Sequence, residues 1–319
     1  GEDTLSLHDA LPIFQINPNF SLFTLTGTAT SQIINGYNLI TITKGTSSVS
    51  LNVNIPSITI ICVAGGGGGN AGSYGSVKAG GGGGGGSSCY INTGLNSNTT
   101  INITVGGGGS GGTNVNSNGL PGSGGNTTLS VNYTTTNVAN IYDITCNGGI
   151  TTSAETSTVN NGGSGGTTTV TVGSNVILGN GGNGGNSGSN GQISNTTLIN
   201  NITGLGYFPI VSNLTSVIQT AYGGGGGGGA QLGYGGTAGN KGVGGIQNGY
   251  TSQPSRIGQN ATAYGDGGGG AGYSNGQSGV NNGGSGGDGV GGQLCSGDGV
   301  IRRGARDHAA DLIRQHSPV

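Results

Sequence analysis

Residue types that carry out catalysis or bind metals are scarce in this sequence and lie far apart. No histidine occurs between Phe14 and Val300. The acids within that stretch are widely spaced: Asp143, Glu155, Asp266, Asp288 and Asp298. A histidine-based triad, a zinc site or a pair of neighbouring carboxylates needs residues that this stretch does not supply. We therefore predict no catalytic residue, no metal site and no cofactor, and a protein that is not an enzyme.

Cysteines are the other reactive residues, and there are four of them: Cys62, Cys89, Cys146 and Cys295. No two have the C-x-x-C spacing, and Cys62 and Cys146 lie in β-like runs. A small buried cysteine is common in protein cores. The pattern favours buried free thiols, with a disulfide framework as the alternative.

Tyrosines flank or interrupt the glycine blocks in the middle of the chain. Tyrosine, serine, glycine and asparagine are the residues of antibody-type binding loops, in which tyrosine supplies rigid contact area. Such loops on a rigid scaffold are where binding usually occurs. We predict the following receptor-binding residues: Tyr74, Lys78, Tyr234, Tyr250, Arg256 and Tyr273. The alternative is that the tyrosines only cover the edge of a glycine scaffold.

The composition excludes several other kinds of binding. Of 319 residues, 79 are glycine, and only 6% are charged, with a formal net charge of -2. So few cations provide no basic patch for phosphates, so we predict no nucleic-acid partner. The longest apolar run, residues 55–64, is much shorter than the roughly 20 residues that cross a bilayer. We predict no membrane insertion.

The clearest elements that could position a site lie in residues 14–64. Apolar and polar residues alternate over 21–26, 38–43 and 49–55, which is the period of a half-buried strand. Turn residues separate these runs at 35–36 and 44–46. We predict an antiparallel β-unit with one buried face and one solvated face.

Residues 65–290 form a glycine-rich region in which β-like runs lead directly into glycine. Disorder is one interpretation, because glycine loses the most backbone entropy on folding. The other is polyglycine II, a helix of three residues per turn whose backbone groups bond to neighbouring helices. Pure glycine runs that alternate with apolar strands favour the bundle. The predicted fold is mainly β: antiparallel β-units with a polyglycine II-like helical bundle and irregular loops.

Both ends of the chain differ from the middle. Residues 4–13 are identical to one reading frame of a common sequencing-library adapter, so we expect residues 1–13 to be non-native. Residues 291–319 include a stretch after Gly299 with half of all Lys and Arg. We interpret this tail as non-native or chimeric, with a short docking helix as the alternative.

The order of strands and glycine runs resembles the glycine-rich domain of phage tail-tip and fibre adhesins and of large-virus surface proteins. The resemblance rests on 106–112, 260–270 and 282–290, and it covers about Phe20 to Val290. In that family an apolar closing strand typically follows the last glycine motif. Here Val290 leads into Gly291 and Gly292, so we expect the β-unit to lack its last strand.

The resemblance implies a structural or adhesive protein on the virion surface or outside the cell. Its implied partners are a cell-surface receptor, glycan or protein, and other virion fibre or tail proteins. A homotrimer follows from the fibre analogy alone. A different class of function remains open, namely a glycine-rich ice-binding or extracellular matrix protein in which flat rows of small residues form the working surface.

Overall fold

The computed structural model describes residues 21–34, 37–71, 80–112, 121–133, 140–151, 161–186, 260–261, 265–269 and 290–297. Within these residues all regular elements are strands, and no helix is long and apolar enough to cross a membrane. The strands are β1 (Phe23–Thr26), β2 (Thr30–Ile34), β3 (Tyr37–Ile42), β4 (Gly45–Leu51), β5 (Ile55–Val63), β6 (Ser88–Leu95), β7 (Thr99–Val105), β8 (Thr127–Tyr133), β9 (Tyr142–Cys146), β10 (Thr168–Val172), β11 (Ile177–Gly179) and β12 (Val290–Gly297).

The strands form two six-stranded sheets in which every pairing is antiparallel. Sheet A has the order β1-β4-β7-β8-β9-β10, and sheet B has the order β11-β6-β5-β12-β3-β2. This confirms the predicted mainly β, antiparallel fold class. Strands on both sides of residue 64 share each sheet, so the first 64 residues pair with the glycine-rich region.

The two sheets pack face to face and enclose one apolar core. β5 contacts β8, and β12 contacts β7 and β8. Sheet A contributes residues such as Val49, Ile101 and Ile144, and sheet B contributes Ile60 and Ile91. Alternating burial along β7 and β9 places the apolar residues of these strands inward, as in other β-sandwiches.

The predicted strand over 49–55 is divided in the structure. β4 ends at Leu51 and β5 begins at Ile55, in the other sheet. Similarly, the turn at 44–45 carries the chain from β3 in sheet B to β4 in sheet A, with Gly45 at φ +66°. The period-two pattern locates the strands, whereas sheet membership depends on partners far along the chain.

Sheet B departs from the expected arrangement of one buried and one solvated face. Along β5 the alternating neighbours of the core residues are also buried, including Ile61 and Val63. Tyr90 lies opposite Ile61 in β6 and is 1% exposed. Residues 58–63 of β5 are therefore buried on both faces of sheet B, which explains the nearly continuous apolar sequence of this strand.

The expectation that the last strand is missing is wrong. β12 begins at Val290 and pairs with β5 on one side and β3 on the other. Register shifts between Gly291 and residues 294–295 interrupt both ladders, so the pairing continues past the two glycines. Backbone hydrogen bonding does not require the apolar pattern that sequence analysis looks for.

Glycine-rich segments extend from one end of the sandwich and bond to one another. The described segments are 64–70, 80–87, 106–112, 121–126, 147–151, 161–166, 180–186 and 265–269, and we call them together the glycine bundle. Residues 65–69 and 80–86 are buried throughout. These two segments lie in the middle of the bundle, because each bonds to several others.

Candidate binding face

Hydrogen bonds within the glycine bundle recur every third residue. Between 64–70 and 80–87, the amides of Ala64, Gly67 and Asn70 donate to the carbonyls of residues 87, 84 and 81, at 2.8–2.9 Å. Between these positions, Gly65 and Gly68 donate to a different segment, 121–126. Successive residues thus face different neighbours, and backbone groups are satisfied between segments.

The 80–87 segment shows the same arrangement in three directions. Gly82 and Gly85 donate to 180–186, Gly83 and Gly86 donate to 265–269, and residues 84 and 87 donate to 147–151. The bonds are 2.7–3.3 Å long. One segment is therefore held from several sides by its backbone, and the Ser87 hydroxyl adds a bond to Asn147 O at 3.1 Å.

Glycine is required where segments approach most closely. A Cβ atom at Gly84 would overlap the carbonyl oxygen of Ser164, and one at Gly67 would contact the carbonyl of Gly149. Both obstacles are backbone atoms, which no side-chain rotation can move. The pure glycine sequence of the central segments follows from this contact.

At the periphery of the bundle, asparagine side chains replace a neighbouring segment. Asn186 Oδ1 accepts from the amide of Gly162, and Asn183 Oδ1 accepts from that of Gly165, both at 2.8 Å. Asn126 Oδ1 accepts from Gly148 at 3.0 Å. The Asn-Gly-Gly spacing brings an amide oxygen to the same row of donors every three residues.

The direction of the segments defines a face of the bundle opposite the sandwich. Strands β5, β7, β9 and β11 each continue outward into a glycine segment, and the segments 80–87, 121–126 and 161–166 return to β6, β8 and β10. We call the far end the distal face. It is formed by the outer ends of the segments: Ala71, Gly80, Gly112, Pro121, Thr151, Asn161, Asn186 and Gly269.

Hydrogen bonds continue to the level of the distal face. The Asn70 amide donates to Gly81 O at 2.9 Å, and its Nδ2 donates to Asn161 O at 3.4 Å. Thr151 Oγ1 donates to Pro121 O at 3.2 Å. The positions from which the connecting segments depart are thereby held relative to one another.

The predicted receptor-binding residues lie outside the described residues. Tyr74 and Lys78 belong to residues 72–79, which connect Ala71 and Gly80 at the distal face. The other four follow the distal ends of two further segments along the chain: Tyr234, Tyr250 and Arg256 after Asn186, and Tyr273 after Gly269. Their role stays a prediction.

The thiols lie at the opposite end, where the sandwich meets the glycine bundle. Cys62, Cys89 and Cys146 are free and fully buried, which confirms the prediction of buried free thiols for these three. Hydrogen bonds with the thiols of Cys146 and Cys62, together with burial, raise the pKa of Cys89. The contact between these thiols was not predicted from the sequence, because Cys146 belongs to the other sheet.

Among the described residues, no group of three or more His, Cys, Asp or Glu side chains is arranged to hold a metal ion. Asp266 is fully buried, and its backbone lies against Gly66 in the bundle. Asp266 is one of the five scattered acids between Phe14 and Val300, but its burial in the bundle was not predicted. The Asp-Gly-Gly-Gly context, which resembles the central segments, is the signal that could have located it.

The comparison with family models decides the classification. The model of the glycine-rich domain family matches residues 41–291. The chain belongs to the glycine-rich domain family. The matched range extends from the end of β3 to the start of β12, so it includes the glycine bundle and the sandwich strands β4 to β11. A search of curated proteins returns no match.

Proposed function

We propose that this glycine-rich domain is a non-enzymatic adhesive module of a virion, such as a tail fibre or surface protein. In this proposal the distal face presents loops to a cell-surface receptor. The observation that carries it is that the glycine segments all project from the same end of the sandwich, so that their outer ends gather at one face. Such an arrangement separates a bonded scaffold from connecting segments, which is where binding residues usually lie.

The proposal includes polyglycine II as the conformation of the glycine segments. Two observations support it: the three-residue step of the hydrogen bonds between segments, and a matching period of burial. In 106–112, Gly106, Gly109 and Gly112 are buried, whereas Gly107 and Ser110 are exposed. A helix of three residues per turn presents one row to the bundle and one to solvent.

Amide hydrogen exchange tests this conformation. We expect slow exchange at Gly109 and Gly112, whose amides donate to Gly66 and Gly69, and fast exchange at Gly107 and Ser110. Uniformly fast exchange across 106–112 would contradict an ordered bundle.

The receptor-binding part of the proposal rests on tyrosines in the segments that follow the distal ends along the chain. Residues 72–79 are short and joined to two bundle segments that bond directly to each other, so the separation of their ends is set by the scaffold. Pre-organised ends reduce the entropy lost on binding. Tyrosine supplies contact area to either a glycan or a protein receptor. The localisation on the virion surface, the fibre or tail partners and the homotrimer belong to the same proposal.

The test measures adsorption of the purified full chain to host cells. We expect Tyr74→Ala, Tyr234→Ala and Tyr250→Ala each to weaken adsorption about tenfold or more, as hot-spot tyrosines do. Tyr133→Ala is the matched control, since β8 ends at Tyr133 on the side of the sandwich away from the bundle. Adsorption unchanged in all three variants would overturn the assignment of these residues.

A second candidate function is ice binding, which the exposed rows of the bundle favour. Asn161 and Ser164, and likewise Asn180, Asn183 and Asn186, are exposed at every third position. At the polyglycine II rise these positions repeat about every 9 Å. Thermal hysteresis of the purified chain distinguishes the two functions, because adhesion through distal loops produces none.

A further inference from the structure

Three buried thiols meet where the sandwich joins the glycine bundle. Cys62 and Cys89 are register partners in β5 and β6 of sheet B, and Cys146 ends β9 in sheet A. The Cys89 thiol bonds to those of both Cys146 and Cys62, and Cys146 Sγ lies 3.8 Å from Cys62 O. Cys89 is therefore the shared partner of two possible disulfides, one within sheet B and one between the sheets.

The register of β5 and β6 disfavours a disulfide between Cys62 and Cys89 within sheet B. The Ala64 amide donates to Ser87 O at 2.9 Å, so residues 64 and 87 form a hydrogen-bonded pair, and Cys62 and Cys89, two positions further, form another. In an antiparallel ladder, the Cβ atoms of a hydrogen-bonded pair lie farther apart than those of a non-hydrogen-bonded pair. A disulfide needs Cβ atoms about 3.5–4.5 Å apart. No ladder imposes this separation on Cys89 and Cys146, which face each other across the core.

We infer that Cys89 and Cys146 are a disulfide site, which is oxidised when the chain folds in the presence of a disulfide oxidant. The two S–H bonds break and one S–S bond forms. Two protons leave, and two electrons reduce the oxidant, such as glutathione disulfide, to its two thiols. Cys62 keeps its thiol.

Burial determines when this reaction occurs. All three thiols are inaccessible in the folded chain, and the raised pKa of Cys89 lowers its thiolate population, which is the attacking species. Oxidation therefore takes place as the two sheets come together, before the core is sealed from the oxidant, and a chain that folds in a reducing compartment keeps free thiols. The redox state of this pair records where the chain folded, whatever the chain binds.

The test uses the full chain, unfolded and reduced, then refolded in a mixture of reduced and oxidised glutathione. After alkylation under denaturing conditions, peptide mapping should find Cys89 joined to Cys146 as the dominant disulfide and Cys62 alkylated. The oxidised chain should unfold at a higher denaturant concentration than the reduced chain, and reductant should abolish the difference.

Cysteine-to-alanine variants identify the thiols that form the disulfide. Cys62→Ala and Cys295→Ala should retain the Cys89–Cys146 link, whereas Cys146→Ala should lose it. Peptide mapping of the unsubstituted chain tests the inference even where a variant fails to fold. A dominant Cys62–Cys89 or Cys62–Cys146 link, a dominant link to Cys295, or four alkylated thiols would overturn the inference.

Discussion

At the scale of single residues, the hydroxyl group of Tyr90 is a buried polar group that lacks the hydrogen bond such groups usually have. Its ring lies beside Ile61 on the buried outer face of sheet B, and its oxygen has no hydrogen-bond partner among the described residues. A buried, unpaired polar group costs about 1–3 kcal/mol. The side chain thus contributes apolar contact while its oxygen opposes folding.

Removing this oxygen should stabilise the protein. We expect Tyr90→Phe to raise the free energy of unfolding by about 1 kcal/mol, because the ring contacts remain and the unpaired group is lost. Urea unfolding measures the change. Tyr133→Phe, at a half-buried tyrosine of the same sandwich, should have almost no effect. A Tyr90→Phe variant less stable than the parent would reveal a partner for the hydroxyl.

Cys89 gives stability a dependence on alkaline pH under reducing conditions. Its pKa is raised in the folded chain, so the unfolded chain releases the proton first as pH rises. The stabilising contribution is complete below about pH 8.5, the ordinary cysteine pKa, and declines above it by up to about 1.4 kcal/mol per pH unit. Urea unfolding between about pH 7 and pH 10.5 should show this decline in the parent more steeply than in Cys89→Ala. Parallel curves would contradict it.

At the scale of elements, the glycine bundle depends on segments that lie in backbone contact. A side chain at a central position must displace a carbonyl group of a neighbouring segment, and that segment is bonded to others in turn. Because the displaced segment is itself bonded to others, a local movement cannot relieve the free-energy cost of this overlap. Peripheral positions differ, since residues such as Ser110 and Ser164 already carry side chains that point to solvent.

Alanine substitutions should separate these two kinds of position. We expect Gly84→Ala to destabilise the protein by about 3 kcal/mol or more, since overpacking here meets backbone. Ser164→Ala, on the segment that Gly84 contacts, should change stability by no more than about 0.5 kcal/mol. Denaturant unfolding compares them. Equal stability of the two variants would mean that the segments are not packed as described.

The sequence predicted these elements unevenly. Alternation located β1 and β3, and the glycine runs located the bundle segments, because both depend on local side-chain size. It predicted neither the division at Leu51 nor β12, whose positions are decided by distant strands. The thiol cluster likewise depends on Cys146 meeting residues from another sheet. The predicted receptor-binding tyrosines lie outside the described residues and stay predictions.

At the scale of the whole molecule, β12 completes sheet B from the far end of the chain. It lies between β5 and β3, so two strands lose a neighbour if it is removed. Their freed N–H and C=O groups would face an opened core. The integrity of the sandwich therefore depends on residues beyond Val290, within the tail that sequence analysis set apart.

Two truncations test this dependence. A chain that ends at Gly289 should fail to fold cooperatively, whereas a chain that ends at Gly297 should keep the thermal stability of the parent. Circular dichroism during heating, with limited proteolysis, measures both. A cooperative, protease-resistant chain ending at Gly289 would show that sheet B closes without β12.

The late position of β12 also has a consequence for synthesis. While a ribosome is still translating the glycine segments, β3 and β5 are already made, and the position between them in sheet B stays empty until β12 emerges. Strand edges exposed for so long invite pairing with other chains. The nascent polypeptide is therefore most prone to aggregation after β5 and before β12 has been translated, and a chaperone that shields strand edges would act at that stage.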